Sequence, residues 1–370
     1  MPKLIIISNT SWNLFNFRLP LMSRLREEGY EVVAAAPYDG YSNRLREAGF
    51  HYIDLPMNNK GTNPLEDMAL ARRLYKLFRS EQPDVVLTYT PKPNIYACIA
   101  GGFSGTAVIP NISGLGATFI RQNLITKVIK FLYRWALRYP PRVFFQNHDD
   151  MNLFIELALV KKNLAERIPG SGVNTDIFAP LPMMQDRGDH IVFLLVARLL
   201  WDKGVGEYVE AARILKQKYH HVEFQLLGFL DVENPQAVSR QKVEQWVDEG
   251  IINYMGVTDN VIELMQQADC VVLPSYREGL PRTLIEAGSL AKPIVTTDVP
   301  GCRDVVEDAV TGLLCEVKNA GDLADKMARI IQMSVAERSS MGTLGREKVI
   351  NEFDESIVLD RYLQVVSELK

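Results

Sequence analysis

The sequence predicts an α/β protein built as two doubly wound, Rossmann-like domains. Three observations predict it. Short apolar, β-branched runs alternate with segments of helical period along most of the chain, the pattern that parallel strands with crossover helices require. The alternation stops in a stretch rich in Pro, Gly and Asp from 169 to 190 and then begins again. Finally, 370 residues at 47% hydrophobic composition suffice for two cores of ordinary size. The expected division is a first domain at 1–170, a linker at 171–190, a second domain at 191–350 and a terminal helix at 351–370.

Taken in order, residues 4–8 read as a buried strand, 19–28 as a helix that Gly29 ends, and 31–36 as a second strand. A helix near 66–79, a strand at 85–88, a helix near 95–100 and a strand around 108–112 continue the first half. The second half opens with a strand at 191–196, a helix at 205–218, a strand at 222–227 and a helix at 238–248. Strands near Ile252, Cys270 and Ile294 follow. In the last segment Ile357, Val358, Leu363 and Val366 fall at helical spacing, so the helix at 356–369 is expected to pack rather than hang free. No repeat of fixed period and no low-complexity tract interrupts the pattern.

A net charge of −4 gives no global pull toward nucleic acid. Cys98, Cys270, Cys302 and Cys315 lie far apart, without zinc or disulfide spacing, which fits a reducing, cytoplasmic setting. The five histidines show no ligand spacing, and no Asp-x-Asp pair is present to hold a divalent ion beside a diphosphate. The amino end lacks the length and cleavage pattern of a signal peptide. No apolar run approaches the ~18 residues of a spanning helix, so the expected protein is soluble or attached to one membrane face.

The stretch from Cys270 to Gly288 reads as strand, loop and helix, with Pro281 suited to the first helical position. The amides of Gly279, Leu280, Arg282 and Thr283 would then be left unpaired by the helix and would favour an anion or a ring of hydroxyls. Glu278 and Glu286 flank them; carboxylates beside an anion site repel phosphate, so each is better suited to accept from neutral hydroxyls of a sugar or ribose. Upstream, Arg198 and Lys203 leave one turn together at the end of strand 191–196, where two cations would neutralise a diphosphate. The plain alternatives are a solvated turn for Arg198 and Lys203 and an exposed helix position for Glu286.

The first half departs from a dinucleotide fingerprint, because the stretch from Ser8 to Arg18 holds no glycine. Asn9, Asn13 and Arg18 are its candidate contacts to a donor sugar or an acceptor phosphate, while Trp12, Phe15 and Phe17 can be core. After the strand at 85–88, Lys92 and Asn94 are the polar candidates, and 111–116 offers a second flexible loop. From Val85 to His148 there is no acidic residue, yet Lys92, Arg121, Lys127, Lys130, Arg134, Arg138 and Arg142 are present. Lys127, Lys130, Arg134 and Arg138 share one helical face, and Leu124, Ile125, Val128, Phe131, Leu132 and Trp135 add apolar area. This reads either as an interfacial helix at 122–138 facing an anionic membrane, or as a helix with its apolar face on the sheet and its basic face in water.

Glu278 and Glu286 separated by seven residues, preceded by Leu-Pro-Ser and followed by Ala-Gly, together with Arg198 and Lys203, resemble the retaining family 4 glycosyltransferases (GT4). The stretches 171–180, 253–257, 299–301 and 308–314 extend the likeness over most of the chain. Residues 201–204 and 228–235 also resemble bacterial N-acetylgalactosaminyltransferases that extend undecaprenyl-diphosphate-linked sugars in polysaccharide biosynthesis. The resemblance implies the GT-B fold, with two domains facing a cleft and the terminal helix crossing back to the first. It implies a UDP-sugar donor, no cofactor and no metal, and retention of configuration. Arg198, Lys203 and Glu278 would be catalytic; Gly279, Leu280, Pro281, Arg282, Glu286, Tyr254, Met255, Asn9 and Asn13 would bind the donor. Arg18, Lys92, Asn94, Lys127, Lys130 and Arg134 would serve a polyprenyl-diphosphate-linked acceptor at the inner face of the cell membrane. Relatives often carry a histidine after the fourth strand; here that stretch is Tyr89 to Asn94, without one. A GT-B sugar-nucleotide epimerase, active without an acceptor, and a non-catalytic nucleotide-sugar-binding protein are the competing classes.

Overall fold

The computed structural model describes residues 1–58, 63–115, 124–181, 190–232, 234–258 and 260–369. The chain divides into two compact units, Met1–Ser171 with Ser356–Lys370, and Gly172–Glu355. The first is built on a sheet of β1 (Lys3–Ile7), β2 (Glu31–Ala36), β3 (His51–Asp54), β4 (Val85–Tyr89), β5 (Ala107–Ile112), β6 (Val143–Phe145) and β7 (Ala165–Arg167), in the order β3-β2-β1-β4-β5-β6-β7. Every described pairing is parallel, with Ile5 level with Val33 on one side and Val86 on the other. Helices cover both faces, which is why Leu4 to Ile7 is an unbroken apolar run: alternate residues feed opposite cores. Ile5, Ile7, Val86 and Phe145 face one core; Leu4, Ile6, Phe144 and Tyr362 face the other.

The second unit repeats the plan with β8 (Ile191–Val196), β9 (Val222–Leu227), β10 (Asn253–Tyr254), β11 (Cys270–Leu273), β12 (Ile294–Thr297) and β13 (Gly312–Cys315), in the order β10-β9-β8-β11-β12-β13. Its pairings are parallel too. Each sheet grows outward from a central pair, β1 with β4 and β8 with β11. Strand order reverses there, and the crevice at the carboxyl ends of that pair is where such sheets bind ligands.

Strands 31–36, 191–196 and 222–227 have the bounds expected from sequence. Helix starts are the main corrections. The stretch from Asn9 to Arg18 is not a loop: a helix runs Ser11–Glu27, capped by Thr10, whose Oγ1 accepts from the Asn13 amide at 3.1 Å, and it continues through Pro20. The helix expected near 95–100 spans Pro91–Ser104, so Lys92 and Asn94 lie in its first turn; Pro91 and Pro93 lack only N–H groups that a first turn leaves unpaired. Pro281 is the residue before its helix, with φ −74° and ψ 111°, and the helix is Arg282–Ser289.

The start of the expected linker is packed chain of the second unit. Val173 and Phe178 are buried in its core, the Val173 amide donates to Phe353 O at 3.0 Å, and Thr175 Oγ1 donates to Asp354 at 2.6 Å. Residues 182–189 of that linker, Gly116, Arg121, residues 122–123 of the basic helix and Glu233 lie outside the described residues. At the other end, residues 351–353 finish a helix running Val335–Phe353, and the last helix is Glu355–Glu368. That last helix packs Val358, Tyr362, Val365 and Val366 into the first unit, where Arg361 pairs with Glu166. Among the described residues no helix is long and apolar enough to cross a membrane.

Candidate active site

In the second unit the carboxyl ends of β8 and β11 bring the strongest sequence candidates together. After β8 the chain passes Ala197 and Arg198, makes one turn of 3-10 helix at Trp201–Lys203, and enters the helix Val205–Lys216 through Gly204. Gly204 has φ 72°, and a Cβ there would lie 2.0 Å from Pro274 O, so only glycine lets this turn approach the loop after β11. The approach is sealed by polar contacts. Asp202 O accepts from the Tyr276 amide at 2.9 Å and from Ser275 Oγ at 3.2 Å. Thr283 Oγ1 donates to Val196 O at 3.2 Å, tying the helix after the loop back to the end of β8.

Across that junction Lys203 Nζ pairs with Glu278 Oε1, and Ser275 Oγ donates to the same oxygen at 2.7 Å. Both partners are largely buried, at 17% and 14% side-chain exposure, so the pair is held rather than solvated. Beneath the loop the Glu278 amide donates to Pro300 O at 3.2 Å, and Gly301, at φ 83°, packs where a Cβ would come within 2.7 Å of Glu278 O and Gly279 O. One helical turn past the loop, Arg282 Nε donates to Glu286 Oε1 at 2.7 Å. Burial pushes the Glu286 carboxyl above the usual carboxylate range, with Arg282 opposing it. The amides of Leu280 and Thr283 have no partner among the described residues. Pro281 has no amide to give, so its contribution is the carbonyl that takes the first helical hydrogen bonds. Arg198 is exposed on the same turn as Lys203. The result is a set of cations, the unpaired amides of Leu280 and Thr283 and two carboxylates brought to one sheet edge, a chemistry suited to an anion and hydroxyls together.

Tyr254 and Met255 stand apart at the end of edge strand β10. Tyr254 Oη donates to Gly228 O at 2.8 Å, the Met255 amide donates to Leu226 O, and the Met255 side chain is exposed. Sequence reasoning missed Ser275, Asp202 and Gly301. All three were inside stretches it singled out, but their contacts join segments far apart in the chain.

The first-unit candidates are dispersed. Asn13 Oδ1 accepts from Ser8 Oγ at 3.0 Å, and Asn9 precedes the helix cap. Arg18 is buried over the Tyr89 ring. Lys92 forms a 2.8 Å ion pair with Asp67, which fastens its helix to the neighbouring helix Pro64–Glu81. Asn94 is buried and used at both ends, accepting from Thr88 Oγ1 at 2.8 Å and donating to Asn111 O at 2.7 Å. Lys127, Lys130 and Arg134 lie on the helix Leu124–Ala136, where Thr126, Tyr133 and Ala136 face the core. Leu124 at 76%, Ile125 at 47%, Val128 at 50% and Phe131 at 66% exposure do not. Of the two readings, an apolar face spent wholly on the sheet does not hold for these four residues, while Ile129, Leu132 and Trp135 pack against the core.

Residues 18–170 match the model of the glycosyl transferase 4-like domain and residues 185–348 that of the glycosyl transferases group 1. An N,N'-diacetylbacillosaminyl-diphospho-undecaprenol α-1,3-N-acetylgalactosaminyltransferase of Campylobacter jejuni is 28% identical over 97% of this chain and 96% of its own. A UDP-Gal:α-D-GlcNAc-diphosphoundecaprenol α-1,3-galactosyltransferase of Escherichia coli is 23% identical over 91% of each. Among solved structures, Anabaena Alr3699/HepE in complex with UDP superposes with a TM-score of 0.78 over all of both chains at 16% identity. With two parallel-sheet, Rossmann-like units, the fold is GT-B.

Proposed function

The chain belongs to the glycosyltransferases, a glycosyl transferase 4-like domain followed by a glycosyl transferases group 1 domain, and from that membership we propose that it moves N-acetylgalactosamine from UDP to a saccharide on a polyprenyl diphosphate. The observation that carries the reading is the Lys203–Glu278 pair at the carboxyl ends of β8 and β11. Arg198 stands on the turn of Lys203, and Glu286 on the helix after Glu278. The names of the two relatives, each acting on a diphospho-undecaprenol sugar, support the acceptor class.

When a UDP-sugar enters, Lys203 exchanges Glu278 for the diphosphate, and Arg198 joins it. Glu278, released, accepts from hydroxyls of the transferred sugar. Glu286 accepts from the ribose hydroxyls, with Tyr254 and Met255 toward the base. The anomeric C–O bond to the β-phosphate breaks with its electron pair staying on UDP, where the two cations and the Leu280 and Thr283 amides meet the developing charge. The acceptor hydroxyl bonds to the same face of the sugar and passes its proton to the departing phosphate oxygen, which gives retention without a covalent intermediate. Side-chain cations fill the role a metal ion would otherwise play.

The first unit holds the acceptor. Its helix Leu124–Ala136 rests on an anionic membrane surface, with Lys127, Arg134 and Arg138 at headgroup level and Leu124, Ile125, Val128 and Phe131 below them. Phe103, at the end of the neighbouring helix, and Tyr139, after Leu124–Ala136, are exposed rings 6.4 Å apart that extend that surface. The protein is thus peripheral on the cytoplasmic face.

The test is product analysis with UDP-GalNAc, UDP-GlcNAc, UDP-Gal and GDP-Man against a synthetic lipid-diphosphate sugar, with and without EDTA. The expected product is α-linked GalNAc, formed equally with the chelator. A β-linked product, loss of activity in EDTA, or conversion of the sugar nucleotide with no acceptor present overturns the reading.

A further inference from the structure

The carboxyl-end crevice of the first sheet contains a cation without a counter-charge. Arg18 is 5% exposed, and its guanidinium carbon lies 3.8 Å from the centroid of the Tyr89 ring. Its Nε is buried with no hydrogen-bond partner among the described residues, and no hydrogen bond or ion pair of the guanidinium is present among them. A ring face recovers only part of what desolvating a guanidinium costs, so a protein keeps such a group where something else completes it. The neighbouring sequence supplies no carboxylate, because no acidic residue occurs from Val85 to His148.

The surroundings point to an incoming ligand. Tyr89 is the last residue of β4, at the β1–β4 switch point, and its buried hydroxyl lies against that of Tyr362. The next residue, Thr90, has φ 72°, a strained position for a β-branched side chain. It stands at the amino end of the helix Pro91–Ser104, whose dipole adds positive potential. From the terminal helix, Tyr362 Oη accepts from Asn111 Nδ2 at 2.7 Å and closes the far side. The Tyr89 hydroxyl, like any phenol at neutral pH, is a donor, and burial moves its titration further up.

We infer that Arg18 is the anion receptor of the first unit, taking a phosphate of the acceptor's lipid diphosphate on its free guanidinium edge while Tyr89 donates to a second phosphate oxygen. This deepens the transfer reading above and rests on it for the identity of the lipid. Arginine suits the task because its planar fork can grip a phosphate bidentately, which an ammonium cannot.

The experiment titrates geranyl diphosphate and, separately, UDP into the full chain and into Arg18→Met, Arg18→Lys and Tyr89→Phe variants, with thermal midpoints recorded alongside. Arg18→Met is expected to weaken geranyl diphosphate by about tenfold or more, Arg18→Lys and Tyr89→Phe by about threefold to tenfold, and UDP not at all. The KM for the lipid acceptor rises in parallel while that for the donor holds. Because Arg18→Met also removes an unpaired buried charge, its melting temperature should rise in the absence of ligand. No binding of geranyl diphosphate to the wild type, or unchanged affinity in a folded Arg18→Met, overturns the inference, as does an equal loss of UDP affinity. Should Arg18→Met fail to fold, unchanged affinity in Arg18→Lys overturns it instead. Arg18-dependent binding of geranyl diphosphate in a protein that transfers no sugar would leave the receptor standing and sink the transfer reading alone.

Discussion

Lys203 and Glu278 are each other's counter-charge, and that decides what a substitution at either does. In Lys203→Ala the Glu278 carboxylate, whose side chain is 14% exposed, loses its Lys203 partner and retains the Ser275 hydroxyl. The diphosphate then loses a preorganised cation, and kcat should fall about 10²- to 10³-fold. Glu286→Ala acts elsewhere: it removes the ion pair with Arg282 and the proposed ribose contact, so the larger change should be in the donor KM. Steady-state kinetics on both variants checks this, and a Lys203→Ala enzyme within twofold of wild type would remove Lys203 from the machinery. Arg198, Lys203, Glu278 and Glu286 were legible in the sequence because each sits at a fixed offset from a strand end or helix start. Their pairing was not, since Lys203 and Glu278 are 75 residues apart and meet only when β8 and β11 lie side by side. Burial was equally hidden. Nothing local distinguishes Lys92, tied to Asp67, or Asn94, used at both ends inside the unit, from the solvent-facing polar residues they looked like.

At the scale of elements, strands were the more readable because a parallel sheet covered on both faces writes itself as a continuous apolar run. Helix starts failed at prolines. The helix expected from residue 19 begins at Ser11 and runs through Pro20, and the helix expected near 95 begins at Pro91, with Pro91 and Pro93 in its first turn. A proline marks a restricted φ and a missing donor, and both conditions are met at a helix start and at a break. Glycine at the β8–β11 junction carries a sharper prediction. Gly204 and Gly250 share left-handed φ values of 72° and 69°, but a Cβ at Gly250 meets nothing within 4 Å, whereas one at Gly204 meets Pro274 O at 2.0 Å. Gly250→Ala should therefore cost only the backbone term, about 1 kcal/mol. Gly204→Ala must also push the Lys203 turn away from the Glu278 loop, and should cost about 2–4 kcal/mol with a loss of transfer that Gly250→Ala does not share. Urea unfolding and activity measured on the pair decide it; equal destabilisation would mean that the junction yields without strain.

For the molecule as a whole, net charge and local charge point in opposite directions. The chain carries −4 and a pI near 5.9, so an anionic bilayer repels it on average. Any attraction must come through one face. The helix Leu124–Ala136 and the residues after it supply that face, with exposed Lys127, Arg134 and Arg138 set among exposed Leu124, Ile125, Val128 and Phe131. Neither component suffices alone. The cations act only within a Debye length, ~8 Å at physiological salt, and the apolar residues cannot insert until the headgroups are reached. Each surface cation contributes about 1 kcal/mol, so Lys127→Glu with Arg138→Glu should weaken binding to vesicles containing phosphatidylglycerol by about 30-fold or more, before added repulsion. Phe131→Ser should also weaken binding, but with little change in its salt dependence, because it removes buried area and no charge. Flotation at low and high salt separates the two. Binding that survives the double charge reversal, or that is equal on neutral and anionic vesicles, would mean that the basic face is merely solvated and that the acceptor lipid alone brings the enzyme to the membrane.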